Sequence, residues 1–143
     1  MLIGEYQNKV GDRKRIALPK KLRDELGGDL ILTRGYENSL VIVNKHLWEN
    51  LSKDIISGSF INTDIRDTSR FLIGSATEIE LDDQGRFVLP QALFDYAQLK
   101  DDVVFIGLVN WVEVWSKELW EKRMDYLSKH GSEIAQKLSE LKK

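Results

Sequence analysis

Apolar and polar residues in the first half of the chain alternate in a way that predicts four strands and two helices. Alternating or β-rich apolar runs predict strands at residues 2–7, 16–18, 30–33 and 40–43. Leucines spaced i and i+4 predict a short helix over residues 20–26, which two glycines end. Asn44 is placed to cap a second helix from Lys45 to about residue 55. The polar residues 9–14 form the turn between the first two strands.

The second half repeats this order of elements. Strands are predicted at residues 76–81, 86–89, 103–108 and 111–115, with a polar turn at 82–85. Pro90 opens a helix that continues to about Leu99, and Ser116 caps another that ends near Ser128. Residues 62–72 between the halves are predicted to be helical, with Thr63 or Asp64 as the cap. From residue 132, apolar residues at i, i+4 and i+7 predict an amphipathic helix that extends past the core.

One short motif marks the repeat. An Arg ends a turn, an apolar-x-apolar strand follows and Pro closes the strand, at Arg15 to Pro19 and again at Arg86 to Pro90, 71 positions later. We therefore interpret the chain as two copies of one supersecondary unit, each presenting an Arg from a turn. The predicted division is a first repeat, a connecting helix, a second repeat and a C-terminal amphipathic helical tail, over residues 1–57, 58–75, 76–130 and 131–143.

Composition excludes several classes of site. With 143 residues, 42% hydrophobic and 31% charged, the chain is typical of a soluble globular protein. It has no Cys, which excludes disulfides, thiolate zinc sites and cysteine nucleophiles. Residues 1–6 lack the pattern of a signal peptide, and no apolar run approaches the ~18 residues of a membrane span. We expect no cofactor, no metal, no membrane association and no small-molecule substrate.

The net charge of −2 hides a local asymmetry. Residues 9–23 contain one acidic residue, Asp12, and seven basic ones: Lys9, Arg13, Lys14, Arg15, Lys20, Lys21 and Arg23. A basic edge on an otherwise acidic body predicts a polyanion-binding face. Alone, the same cluster could be a solvated, charge-rich turn. The repeat context favours the binding interpretation.

The doubled motif resembles that of the MraZ transcriptional regulators, over essentially the whole chain, and the swapped-hairpin fold of the AbrB and MazE-type DNA-binding proteins. In the second copy, the sequence from Asp82 to Arg86 matches the family's Asp-x-x-x-Arg pattern and Pro90 follows. The first copy departs from it, because Gly11 takes the place of the Asp and Lys14 that of the usual Gly.

The resemblance implies an α+β fold of tandem duplicated, swapped-hairpin AbrB-like β-barrel units with flanking helices and a pseudo-twofold within one chain. It also implies a cytoplasmic, nucleoid-associated protein that binds double-stranded DNA at short direct promoter repeats. Such regulators commonly repress the division and cell-wall gene cluster, including their own gene. The implied assembly is a homo-oligomeric closed ring of protomers, commonly an octamer.

The chemistry of arginine suits such a role. Its planar, permanently charged fork can bind a phosphate or the N7 and O6 atoms of guanine. The candidate DNA-binding residues are Arg13, Lys14, Arg15, Arg86, Lys9, Lys20 and Lys21. Strand alternation predicts that Arg13 and Arg15 point one way and Lys14 the other. The lysines are expected to supply weaker phosphate contacts, those at 20 and 21 from a helix start that favours anions.

Four residues are predicted to shape the motif: Asp82, Gly85, Pro19 and Pro90. Arg86 has two interpretations of equal weight. It either pairs with Asp82 and holds the turn, or contacts DNA directly. The two histidines, distant in sequence, do not predict a zinc site. The four tryptophans are interpreted as core or protomer-interface residues.

Three functional classes remain in order of preference. The first is a multimeric DNA-binding regulator. The second is a protein-interaction or antitoxin-like module without its own operator, which would use the C-terminal helix. An enzyme is the poorest class, because no paired carboxylates, phosphate loop or nucleophile elbow is present.

Overall fold

The computed structural model describes residues 1–142, so that Lys143, the last residue of the predicted tail, lies outside the described residues. The first half contains five segments of strand or turn and two helices, in the order β1 (Leu2–Lys9), a 3₁₀ turn (Asp12–Lys14), β2 (Arg15–Ala17), α1 (Lys20–Leu26), β3 (Leu30–Arg34), β4 (Leu40–Asn44) and α2 (Lys45–Ile56). These elements follow the predicted order.

The linking segment and the second half complete the same order. The link is α3 (Thr63–Thr68), continued by a π-helical segment (Ser69–Ile73). The second half contains β5 (Thr77–Ile79), β6 (Arg86–Val88), α4 (Gln91–Tyr96), β7 (Asp102–Val109), β8 (Val112–Ser116) and α5 (Lys117–Leu141). The repeated order of elements predicted from the sequence is therefore confirmed.

Local capping explains where the longer helices begin. The Asn44 side chain accepts a hydrogen bond from the Leu47 N–H at 2.9 Å, and Ser116 accepts one from the Leu119 N–H at 3.1 Å. Both caps are as predicted, and each satisfies a backbone donor that the first helical turn leaves unpaired.

Two helical predictions are wrong. The cap of α3 is Asn62, not Thr63 or Asp64, because the extended backbone at Asn62 aims its side-chain oxygen at two N–H groups of the first turn. The predicted interruption between residues 128 and 132 is absent, and α5 continues unbroken through Gly131. A single glycine costs a helix only about 1 kcal/mol, which a helix of 25 residues tolerates.

The two halves are interlocked through their strands. A six-stranded antiparallel sheet has the order β1-β7-β8-β4-β3-β5, and β2 pairs with β6 in a separate two-stranded ribbon. The first strand of each half pairs with the hairpin of the other half: β1 with β7 over eight residue pairs, and β5 with β3 over three. The hairpins meet where β4 pairs with β8. The order therefore places a pseudo-twofold between β4 and β8.

The fold is α+β and consists of two repeated, hairpin-swapped units, as predicted. The predicted closed barrels are not found among the described strands. Within residues 1–142 the main sheet is open, with β1 and β5 as its two edges. The β2–β6 pairing, called here the ribbon, is the element that carries the motif arginines.

The main core joins residues of both halves in one cluster. Equivalent residues of the two motifs occupy it in pairs, and all are at most 4% exposed: Ile16 and Phe87, Leu18 and Leu89, Leu22 and Leu93. Burying each large apolar side chain stabilises the fold by about 1.5–3 kcal/mol. The buried apolar residues that alternate with the motif arginines therefore anchor both motif strands in the core.

A second cluster lies under α5. Val104, Ile106 and Trp115 pack with Leu119 and Trp120, and the two tryptophan rings are 5.4 Å apart. These strand residues alternate with those of the main core, so they lie on the other face of the sheet.

Candidate nucleic-acid interface

The ribbon places its two arginines on one outer face. The antiparallel register sets Ile16 opposite Phe87, with Arg15 and Arg86 on either side of this pair. Side chains along a strand alternate between faces. Because Ile16 and Phe87 are buried in the core, Arg15 and Arg86 share the outward face, two residue steps, or roughly 7 Å, apart along the ribbon.

The backbone closes both ends of the ribbon in the same way. The Leu18 N–H donates to the Gly85 carbonyl at 2.9 Å, and at the other end the Leu89 N–H donates to the Lys14 carbonyl at 3.0 Å. The Arg15 carbonyl accepts a hydrogen bond from the Gly11 N–H at 2.8 Å, and the Arg86 carbonyl accepts one from the Asp82 N–H at 2.9 Å. Each turn is thus tied to the other half of the chain by an equivalent backbone hydrogen bond.

The second turn is organised by one carboxylate. Asp82 Oδ1 accepts hydrogen bonds from the N–H groups of Gln84 and Arg86, each at 2.9 Å. Its Oδ2 accepts a third from Arg86 Nε at 2.8 Å. The hydrogen bond from the Arg86 backbone, followed by that from its side chain, lowers the pKa of Asp82 below the ordinary 3.8, although burial opposes the shift.

Asp82 holds Arg86 without using all of its donors. Within residues 1–142 the Arg86 guanidinium hydrogen-bonds only through Nε, which leaves both Nη groups for another acceptor. The side chains of Arg86 and Asp82 are 36% and 38% exposed. The geometry therefore contains the predicted pair that shapes the turn, and also leaves Arg86 able to reach a ligand.

The first turn has a different construction. Gly11 supplies no carboxylate to it, and Asp12 forms no ion pair with another described residue. Arg13 and Lys14 both have left-handed backbones, with φ of 59° and 56°. The predicted alternation of Arg13, Lys14 and Arg15 along a strand is therefore wrong, because the strand begins only at Arg15 and the two preceding residues form the turn.

The predicted basic residues divide between the two ends of the ribbon. Lys9, Arg13, Lys14 and Arg15 lie at the end formed by the first turn. Lys20 and Lys21 follow Pro19 at the other end, beside the second turn, because the chain has crossed the ribbon by then. The first-half basic segment therefore serves both ends, a distribution that the sequence did not reveal.

Two of these lysines have carboxylate partners. Lys9 Nζ lies 3.6 Å from Asp102 Oδ1, and Lys20 Nζ lies 3.2 Å from Asp24 Oδ2. Such exposed pairs contribute little and exchange readily. Among residues 1–142 no ion pair involves four of the candidates, Arg13, Lys14, Arg15 and Lys21.

Two structural residues of the motif lie slightly outside the helices they precede. Pro19 and Pro90 are the N-caps of α1 and α4, with φ of −53° and −58°. Pro90 was predicted to open its helix, and the observed helix begins one residue later, at Gln91. The fixed φ of proline still sets the direction in which each helix leaves the ribbon.

Arg23 belongs to this region and was not among the predicted site residues. It extends from α1 across to the second turn, where a Cβ atom at Gly85 would overlap its guanidinium. Gly85 has a φ of +76°, which favours glycine on conformational grounds as well. The contact joins the two halves at distant sequence positions, so the only sequence signal was the basic charge of Arg23.

The candidates outside the ribbon show no comparable arrangement. His46 is exposed, and the ring of His130 packs at 4.5 Å from that of Tyr126. Trp115 is a core residue, as one of the two sequence interpretations held. Trp48 and Trp111 line an apolar groove of about 410 Å³ beside α2. In the described part of the chain, no helix combines the length and apolar character needed to cross a lipid bilayer.

Comparison with known protein families shows which family the chain belongs to. The family model described as "MraZ protein, putative antitoxin-like" matches the chain twice, over residues 1–71 and 72–140. The chain belongs to the MraZ family. The junction between the two MraZ matches falls in the π-helical segment that links the halves.

Relatives named "Transcriptional regulator MraZ" are similar over nearly the whole chain. The protein from Clostridium tetani (strain Massachusetts / E88) is 40% identical over 141 residues, covering 99% of both chains. The protein from Caldicellulosiruptor saccharolyticus shares 40% identity with the same coverage, and that from Thermoanaerobacter sp. (strain X514) shares 36%.

We predict that Lys14→Gly stabilises the protein. A left-handed backbone costs a non-glycine residue roughly 1–2 kcal/mol, while glycine gains entropy in the unfolded chain. The net increase in the free energy of unfolding should be about 0.5–1 kcal/mol, measured by urea denaturation. Lys14→Ala removes the same charge but keeps Cβ, and should not stabilise. A Lys14→Gly variant less stable than Lys14→Ala would contradict this account.

We predict a pH-dependent cost for Asp82→Asn. Folding lowers the pKa of Asp82, so its carboxylate stabilises the fold above the unfolded pKa, and this contribution is lost as the pH falls through the folded pKa. The variant should melt below the wild type at pH 7, and the difference should shrink below pH 3.8. Asp83→Asn serves as the control. Equal destabilisation at pH 7 and pH 3 would rule out a role for the charge.

Proposed function

We propose that this chain is a sequence-specific DNA-binding regulator of transcription that reads the major groove with the outer face of the ribbon. The observation that carries the proposal is the placement of Arg15 and Arg86 on one outward face, above a pair of buried residues. The major groove admits a two-stranded β-ribbon. A ribbon that binds in the groove needs rigid support, which Ile16 and Phe87 provide because they are buried in the core.

The arginines and lysines have separate tasks in this proposal. Arg15 is the main reader, because no described carboxylate pairs with it and its fork can bind guanine N7 and O6. Arg86 is oriented by Asp82 and offers its Nη groups to a base or a phosphate. Arg13 and the lysines Lys9, Lys14, Lys20 and Lys21 contact phosphates, which fix register but carry no sequence information.

The regulatory role rests on family membership. Relatives at 36–40% identity over 99% of the chain carry the name of a transcriptional regulator. The proposed target is a set of short direct repeats in the promoter of a division and cell-wall gene cluster that includes the chain's own gene. The proposed effect is repression, exerted in the cytoplasm at the nucleoid, without a cofactor or small-molecule substrate.

Exposed apolar surfaces support a homo-oligomeric ring, with eight protomers as the proposed number. Phe60 and Ile61, between α2 and α3, are 83% and 84% exposed. On α5, residues 131–141 are all exposed, yet Ile134, Leu138 and Leu141 follow one another at helical spacing. Two separate apolar surfaces on one protomer suit a head-to-tail contact, which generates a closed ring when the rotation closes.

Arg15→Ala should remove most sequence-specific binding while leaving the fold intact. A lost bidentate contact costs about 1–3 kcal/mol per site, roughly a five- to 150-fold loss. Arg86→Ala should lose less affinity and more stability, because Arg86 also holds its turn. The measurement is a fluorescence titration of DNA from upstream of the gene, alongside thermal melts, with Lys100→Ala as the control. Unchanged DNA affinity in Arg15→Ala would contradict the assignment of Arg15 as the main reader.

The ring should appear in native mass spectrometry as a closed multiple of the 16.5 kDa chain. Replacing both Phe60 and Ile61 with Ser should lower the oligomer number. In titrations, DNA with two or three repeats should bind ~10²–10⁴-fold more tightly than DNA with one repeat, because later contacts are intramolecular. A monomer at micromolar concentration, or equal affinity for all three DNAs, would refute the multivalent mechanism.

A further inference from the structure

Arg23 is a first-half residue that lies on the turn of the second half. Gly85 is buried, and a Cβ atom placed there would overlap the Arg23 guanidinium. The lack of a side chain at this position therefore makes the room that Arg23 occupies. Gly85 directly precedes Arg86, so the guanidinium of Arg23 lies on the turn that leads into the second motif arginine.

The two halves bring a basic side chain to each turn from different positions of the repeat. Lys14 and Gly85 are equivalent positions of the repeat, and so are Arg23 and Phe94. The first turn carries its own cation, Lys14, while Phe94 packs against the core. The second turn has glycine where the first has lysine, and it receives a cation from the other half of the chain. Each end of the ribbon thereby has a basic residue besides its motif arginine.

The charge of Arg23 is not neutralised by an acidic residue within residues 1–142. Within residues 1–142 it takes part in no ion pair. Its Nε atom is buried without a hydrogen-bond partner, whereas Arg86 is bound by Asp82. An arginine held against a turn by packing alone keeps its positive charge for an external anion.

The second turn needs such a charge to approach DNA. Glu80, Asp82 and Asp83 are exposed around Arg86, so the turn by itself is net negative and would be repelled by a phosphate backbone. Lys20 and Lys21 start the same helix as Arg23 and lie at this end of the ribbon, but only Arg23 is fixed on the turn itself.

We propose that Arg23 binds a DNA backbone phosphate and so gives the acidic second turn access to the groove. The inference rests on the proposed function, which it deepens by naming a phosphate-positioning residue that acts across the two halves. Its Nη groups supply the contact, and Gly85 keeps them in place.

The test compares Arg23→Gln and Arg23→Lys with wild type on DNA from upstream of the gene, at four salt concentrations. Arg123→Gln is the matched control, because Arg123 lies on α5 near Glu37. Arg23→Gln should lower affinity and reduce the slope of log K against log salt by about 0.9 per contacted site. Arg23→Lys should retain the slope, since it retains the charge. Thermal melts of each variant report the fold separately.

The outcomes separate this inference from the proposed function. If wild-type protein shows no salt-dependent binding to the DNA, the proposed function fails. If wild type binds and Arg23→Gln matches Arg123→Gln in affinity and slope, the role of Arg23 is overturned. A lower affinity with an unchanged slope also overturns it, because a residue that only supports the turn would weaken binding without changing the number of neutralised phosphates.

Discussion

The pairing of β2 with β6 is the constraint on which the rest of the molecule depends. Three residue pairs join the halves at this point, and the central pair, Ile16 with Phe87, is also a part of the core. Neither strand is long enough to be stable by itself. Burial beneath and backbone hydrogen bonds from Leu18 and Leu89 at the ends fix the ribbon, so both arginines share one rigid support.

The two ends of this support have diverged in their turns while keeping equivalent backbone hydrogen bonds at the ends of the ribbon. Asp82 orders the second turn through three hydrogen bonds. The first turn has Gly11 in that position and accepts a left-handed lysine instead. A duplicated unit can thus specialise: one copy gives up an internal carboxylate and gains positive charge, while the other keeps its carboxylate and relies on a neighbour for charge.

Much of this fold follows from the sequence, because local patterns carry it. Alternating or β-rich apolar runs identified the strands, and Asn44 and Ser116 identified two helix starts, since each signal depends on neighbours within a few residues. The partners that β1, β2, β5 and β6 find in the other half did not follow from alternation, because alternation defines a buried face but not what lies beside it. The left-handed backbone at Lys14 was also hidden, as a lysine gives no sign of its φ angle.

In the candidate site, too, some residues could be recognised from the sequence and others could not. Arg15 and Arg86 could be recognised as a pair from the repeat, and Asp82 as the partner of Arg86 from the spacing within one turn. Arg23 could not be placed, because its neighbour Gly85 belongs to the other half and the contact arises only when the halves interlock. The sequence also led to a wrong alternation of Arg13 and Lys14, since it treated a turn as a strand.

The interlocked strands have a consequence for synthesis on the ribosome. Leu2 at the start of β1 pairs with Val109 in β7. The first strand synthesised therefore cannot pair until one of the last strands has been made. Contacts of such sequence separation slow folding, and until β7 emerges the nascent first half has a first strand without its partner. The chain therefore cannot complete its first half before its second, and a ribosome that stalls between the repeats releases a product with a sheet edge open to association.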